Sequence, residues 1–435
     1  MSITVNRLSL HVSASYFSLL LLTSSLYGED WSQWRGEDRA NRSSETGLFE
    51  TWDAEGPPLE WMAEGLGNGY ATVSVVGDRI YTSGNFDDSQ SIVAIDAARG
   101  NVVWKTPITD KKPEHGYEGS RTTPTVDGNR LYAVSSDGRI ACLSASSGEV
   151  LWNREFSEWN GKMMSGWGYS ESPLVDGDKV ICTPGGPEGM VVALNKMTGE
   201  QIWACTVPEP TPENDSEALK EGAGYSSPIL SNGGGVKQYV QLVGRGLIGV
   251  RAEDGKMLWQ YNRVANTVAN IPTAIVDGDF VFTSSGYNTG SALLKLSADG
   301  SGGVKAEEVY WLKGRTLQNK HGGITLVDGY LYCGHGNGNG MPICVEMATG
   351  EIMWGPERTE GKGETSLVYA DGHIIYRRED GTILLTKADP NTFKLLSHFT
   401  PPFQEGKSWA HPVIANGKLY LREQNKLMCY RLKSR

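Results

Sequence analysis

The chain has 435 residues, a formal net charge of −11, 54 glycines and 13 tryptophans. An acidic net charge repels a long polyanion, so nucleic acid is not expected as a partner. Glycine this abundant without a collagen period means many turns, and so an all-β chain of short strands.

Residues 1–28 read as a signal peptide: Arg7 is a small positive region, Val12–Leu26 is apolar, and Ser24, Ser25 and Gly28 are small residues fit for cleavage. The apolar run is shorter than the ~20 residues a spanning helix needs, and no later run is long enough to span. The expectation is an exported, monomeric, periplasmic or extracellular protein. A leader follows at 29–56, containing DWSQWRGEDRANRSSETGL at 30–48.

From residue 57 to 435 the sequence repeats itself. One unit reads VAIDAARGNVVWKTPI at 93–108, ACLSASSGEVLWNREF at 141–156, ALNKMTGEQIWACTV at 193–207, VRAEDGKMLWQY at 250–261 and CVEMATGEIMWGPE at 344–357. In each, a glycine allows the positive φ of a tight turn and a tryptophan at a fixed step beyond it anchors packing. Trp61, Trp104, Trp152, Trp203, Trp259, Trp311 and Trp354 follow one another at 43 to 56 residues, the span of four short strands. In step with them runs an Asx-Gly hairpin signal, as in VVGDRIYT at 75–82, VDGNRLYA at 126–133, VDGYLYC at 327–333 and ANGKLYL at 415–421. Counting LSNGGGVKQYVQLV at 230–243, there are eight such hairpins. Units this short bury their apolar faces only against copies of themselves. The last unit stops after its third strand, at 425–433, whereas Trp61 has no three strands before it. The strand around Trp61 should therefore complete the last blade and close an eight-bladed β-propeller, removing the open edges.

These paired motifs resemble the pyrroloquinoline-quinone-type (PQQ-like) repeat, from Pro57 to the C-terminus. The resemblance implies an eight-bladed propeller in a family that includes quinoprotein alcohol dehydrogenases and the non-enzymatic assembly lipoprotein BamB. The 30–48 segment also looks like the leader of secreted propellers of this family. The dehydrogenase branch implies an adjacent Cys-Cys pair beside the quinone, and none of the six cysteines adjoins another. No C-x-x-C-H haem motif is present. No cofactor is expected on this reading, with PQQ and Ca²⁺ held as the alternative.

Cys142, Cys344 and Cys429 stand where other repeats have Ala94 and Ala193, and Cys182 and Cys333 where they have Thr82 and Ala133. These are slots for small buried side chains. A Cys333–Cys344 disulfide is left open.

Function in a propeller gathers at its faces and axis. The starts of the inner strands bring Tyr70, Arg121, Glu171, Tyr225, Asn270, His321, Glu364 and His411 towards one axial channel, either as a ligand site or as a solvated channel mouth. Glu171, Glu364 and Asn270 are the one set there that could hold a metal. The loop GHGNGNG at 334–340 offers His335 as a second candidate, or is simply a long hairpin loop. The expected role is a non-catalytic binding or scaffold module whose partner is an envelope protein or a carbohydrate. The alternatives are a quinone-dependent oxidoreductase and a hydrolase using the channel carboxylates.

Overall fold

The computed structural model describes residues 30–208 and 219–434. The signal-peptide reading of 1–28 lies outside the described residues, as does most of PEPTPENDSEALKEGAG at 208–224, a polar, acidic run that the sequence marks as an inter-blade loop or a partner-docking flap.

Eight four-stranded antiparallel sheets are arranged as the blades of a propeller. In seven of them the strands follow chain order from the inside out, as in Ser74–Val76, Arg79–Asn85, Gln90–Asp96 and Val102–Pro107 of the first blade. The eighth is composite. Val413–Ala415, Lys418–Glu423 and Lys426–Arg431 supply three strands, and Leu59–Glu64 adds the outermost one, with Trp61 opposite Cys429. The ring therefore closes by joining the two ends of the repeat region, as the repeat count requires.

The Asx-Gly motif makes two different turns. In the second blade Asp127 pairs with Arg130, so Gly128 takes the first turn position at φ 56°. In the sixth, Val327 pairs with Tyr330, and both Asp328 and Gly329 have positive φ, at 48° and 86°. Both arrangements match the right-handed twist of the strands they join.

Trp104, Trp152, Trp203 and Trp354 each face a small residue on their own sheet and bond to the next blade, whereas in the fifth blade Tyr310 makes that bond, to the Met347 carbonyl, and Trp311 packs with the fourth blade. Trp104 lies opposite Ala94, Trp152 opposite Cys142 and Trp259 opposite Gly249, each beside a bulge in the ladder. The indole N–H of Trp104 donates to the Ala145 carbonyl at 3.2 Å, and that of Trp152 to Lys196 at 3.1 Å, both in the following blade. Trp203, Trp259 and Trp354 are buried, and Trp104 and Trp152 half-buried. All six cysteines are free and buried. Cys333 pairs with Ile343 and Cys344 with Tyr332, so the two thiols point to opposite faces of the sheet. No disulfide links them.

The leader has a structural role that its sequence did not announce: it threads the propeller axis and bonds to all eight blades. Trp31 exchanges backbone hydrogen bonds with Val75, and the Val126 amide donates to the Ser32 carbonyl. Arg39 donates to the carbonyls of Ser172, Pro173 and Pro228, and Arg35 to those of Thr273 and Ile324. Ser43 and Asn41 pair with Tyr369, and the Gly417 amide donates to Glu45 Oε1 at 2.9 Å. Arg35 and Arg39 are each 1% exposed. Inner-strand carbonyls left over at the axis need donors, and these two guanidinium groups supply them.

Candidate functional site

The leader crosses one end of the axis, and the other end is a cup of about 390 Å³. Trp34 of the leader lines it, with its ring centroid 4.5 Å from that of His411 and its indole N–H 3.4 Å from Thr273 Oγ1. The loops feeding the inner strands form the wall, because each carries its chain from the outer edge of one blade to the axis of the next.

Five of the eight inner-strand candidates line the cup: Tyr70, Arg121, Tyr225, His321 and His411. The other three do not. Glu171 turns into the seam between blades, where its carboxylate accepts from the Thr183 amide at 2.7 Å and from Gln241 at 3.1 Å. Asn270 is fully buried, with Oδ1 accepting from the Asn266 amide and Nδ2 donating to the Val243 carbonyl. Glu364 is 3% exposed, accepts from the Gly338 amide and pairs with Lys320 at 3.4 Å. The physical reason is common to all three: a polar side chain at a strand start meets an unpaired amide or a cation nearby and is satisfied before it reaches the axis. His335 ends the strand Tyr330–His335 rather than standing in the loop; it is buried and accepts from the Gln318 amide through Nδ1.

The sequence reading missed most of the wall. Trp34, Tyr117, Trp167, Tyr287, Lys320 and Trp409 complete it. A signal was present: Tyr117, Trp167 and Trp409 each stand two to four residues before an inner-strand candidate. Trp409 is the centre of one corner, its ring 4.8 Å from Tyr70, 5.0 Å from Tyr117 and 4.9 Å from His321, at interplanar angles of 42°, 64° and 67°. Trp167 and Tyr225 make a second cluster at 5.8 Å.

Electrostatically the cup is cationic. Arg121 donates to the carbonyls of Gly116, Tyr117 and Gly119 and to the His115 ring, which fixes the rim loop. Burial lowers its pKa to about 10, so it remains charged at neutral pH. Burial, with Lys320 adding to it, lowers His321 to about 3, and burial lowers His411 likewise to about 3, so both imidazoles are neutral.

A metal-assisted quinone needs side chains to hold its metal and to flank its ring. Among the described residues no three His, Cys, Asp or Glu side chains are grouped to hold a metal ion, and Glu171, Glu364 and Asn270 are engaged elsewhere. No cysteine lines the cup. The aromatic wall suits a ring-shaped ligand, but the residues present do not fit a metal-assisted quinone.

A family model described as outer membrane protein assembly factor BamB matches residues 42–224 and 88–356. The assembly factor BamB of Burkholderia pseudomallei is 28% identical over 270 residues, 54% of this chain and 67% of that protein. Quinohemoprotein alcohol dehydrogenase ADH IIB of Pseudomonas putida is 24% identical over 42% of this chain, and the match spans 32% of that protein's length. Among solved structures, BamB from Moraxella catarrhalis superposes with a TM-score of 0.60 at 14% identity, over 86% of this chain and 99% of that one. The quinohemoprotein alcohol dehydrogenase from Comamonas testosteroni gives 0.64 at 13% identity, over 93% and 81%. At such identities the superpositions show the shared propeller alone.

Proposed function

The chain belongs to the outer membrane protein assembly factor BamB family, and on that premise we propose that it is an exported, non-catalytic binding module of the cell envelope. The observation that carries this reading is the cup itself. It is a concave, aromatic-walled site of ligand-binding size, and among the described residues no carboxylate lines it to take or give a proton. Its two histidines are held neutral by burial. The hydrolase alternative loses its catalytic pair, since Glu171 and Glu364 point elsewhere.

The outside of the ring supports a scaffold role as well. The outer strands of three successive blades expose Leu59 and Met62, Val102 and Val103, and Val150 and Leu151. Exposed apolar residues on neighbouring blades suit a protein partner. Among the described residues no helix is long and apolar enough to cross a membrane.

The experiment is reconstitution of the purified full-length protein with PQQ and Ca²⁺, read by absorbance and by a dye-coupled alcohol assay. The expected outcome is no stoichiometric cofactor and no turnover. Binding with turnover would overturn the reading and make the protein an oxidoreductase.

A further inference from the structure

We propose that the axial cup binds an acidic oligosaccharide, with the sugar rings held in the Trp409 corner and a uronate carboxylate drawn to Arg121 and Lys320. This rests on the reading of the cup as a binding site and adds the chemistry of what it takes.

Charge around the cup is the first support. The carboxylates nearest it already have cations: Glu364 has Lys320 at 3.4 Å, Glu379 has Lys407, and Glu423 has Arg377 at 2.6 Å. Arg121 has none; no carboxylate of the described residues pairs with it, and its contacts are carbonyls, an imidazole and the Tyr70 ring at 5.4 Å. The cup thus keeps an uncompensated positive charge in a chain whose net charge is −11. Its low-dielectric walls strengthen the attraction for an anion. The terminal N–H groups of Arg121 are engaged by the rim loop, so it acts as a fixed charge, while Lys320, its charge balanced by Glu364 at 3.4 Å, adds N–H groups for the carboxylate to share.

The shape of the wall selects among anions. Rings at 42° to 67° form a corner rather than two parallel plates. Two parallel faces would sandwich a flat aromatic acid. A corner receives a puckered ring, whose positively polarised C–H bonds meet the negative faces of tryptophan and tyrosine.

Strain at the rim is the third support. Tyr117 and Tyr287 sit at φ 53° and 58°, a region bulky residues avoid. Tyr117 is nevertheless 56% exposed as a residue, with its ring beside Trp409. Backbone strain of this kind clusters at active sites and ligand clamps.

The test titrates the full-length protein with trigalacturonate and, separately, with the neutral cellotriose, following tryptophan fluorescence and calorimetry. Trigalacturonate should bind saturably, at least tenfold more tightly than cellotriose, and more weakly as salt rises. Lys320→Gln should weaken it several-fold and Trp409→Ala at least tenfold. Tyr117→Gly should also weaken it while leaving the melting temperature unchanged or higher, which separates binding from folding. Equal binding of the two trisaccharides would overturn the acidic-ligand inference and leave the cup reading standing. Binding indifferent to Trp409→Ala would overturn the cup as the site, and no binding of trigalacturonate would overturn the inference outright.

Discussion

Gly199 turns at φ 76° directly against the indole of Trp152 in the preceding blade, so close that a Cβ there would stand 2.8 Å from the ring. The same contact recurs between Gly148 and Trp104 and between Gly255 and Trp203. The glycine is thus required twice over, for its backbone angle and for the space above it. Trp152→Ala should cost about 3 kcal/mol and Gly199→Ala about 2 kcal/mol, the first by opening a cavity and the second by strain and overlap. Urea unfolding midpoints check both, and a change under about 0.5 kcal/mol in either would rule out the docking role.

The leader should behave as an axial pin. Arg39→Ala removes the donors to Ser172, Pro173 and Pro228; the Pro173 carbonyl keeps the Thr125 hydroxyl at 2.6 Å, and those of Ser172 and Pro228 lose their guanidinium partner. A loss of about 2–4 kcal/mol is expected, together with faster protease cleavage within 30–48 than in the wild type. Unchanged stability and unchanged protection of this segment would show that the pin is dispensable.

Glu171 gives a pH signature. Burial raises its pKa to about 7, opposed by the Thr183 hydrogen bonds and by the charge of Arg39. A carboxyl whose folded pKa lies above its unfolded value contributes stability that is complete below about pH 4.5 and is lost as pH rises through 7. Relative to the wild type, Glu171→Gln should therefore gain stability between pH 4.5 and 7.5, on the order of 3 kcal/mol across that window. Parallel curves for the two proteins would mean the carboxyl is ionised throughout.

The thiols should be inert in the folded state. Burial pushes Cys205, Cys333, Cys344 and Cys429 up to about 12, and Cys182 higher than its ordinary value. Iodoacetamide should label none of the six cysteines in the native protein and all six after denaturation without reductant. Four labelled thiols would reveal a disulfide that the opposed faces of Cys333 and Cys344 exclude.

Local chemistry made the fold legible. The Asx-Gly turns, the Gly-to-Trp step and the missing fourth strand of the last repeat are short-range signals, and together they specify eight blades closed by the Trp61 strand. The cup was only half legible. Tyr70, Arg121, Tyr225, His321 and His411 were found because strand starts converge on the axis whatever their side chains are. Glu171, Asn270 and Glu364 share that position, yet each meets an unpaired amide or a cation nearer than the axis and turns aside.

What the sequence determined by itself is the number of blades, their order and the place of closure, because a hairpin repeat carries its own turn and strand pattern. The tertiary structure alone decided that the leader fills the axis, that the carboxylates leave the cup, and that Lys320 and Trp409 join it. Those outcomes depend on which carbonyls and amides remain unpaired after eight blades have closed around one line. That inventory does not exist until residues hundreds of positions apart in the chain have been brought together.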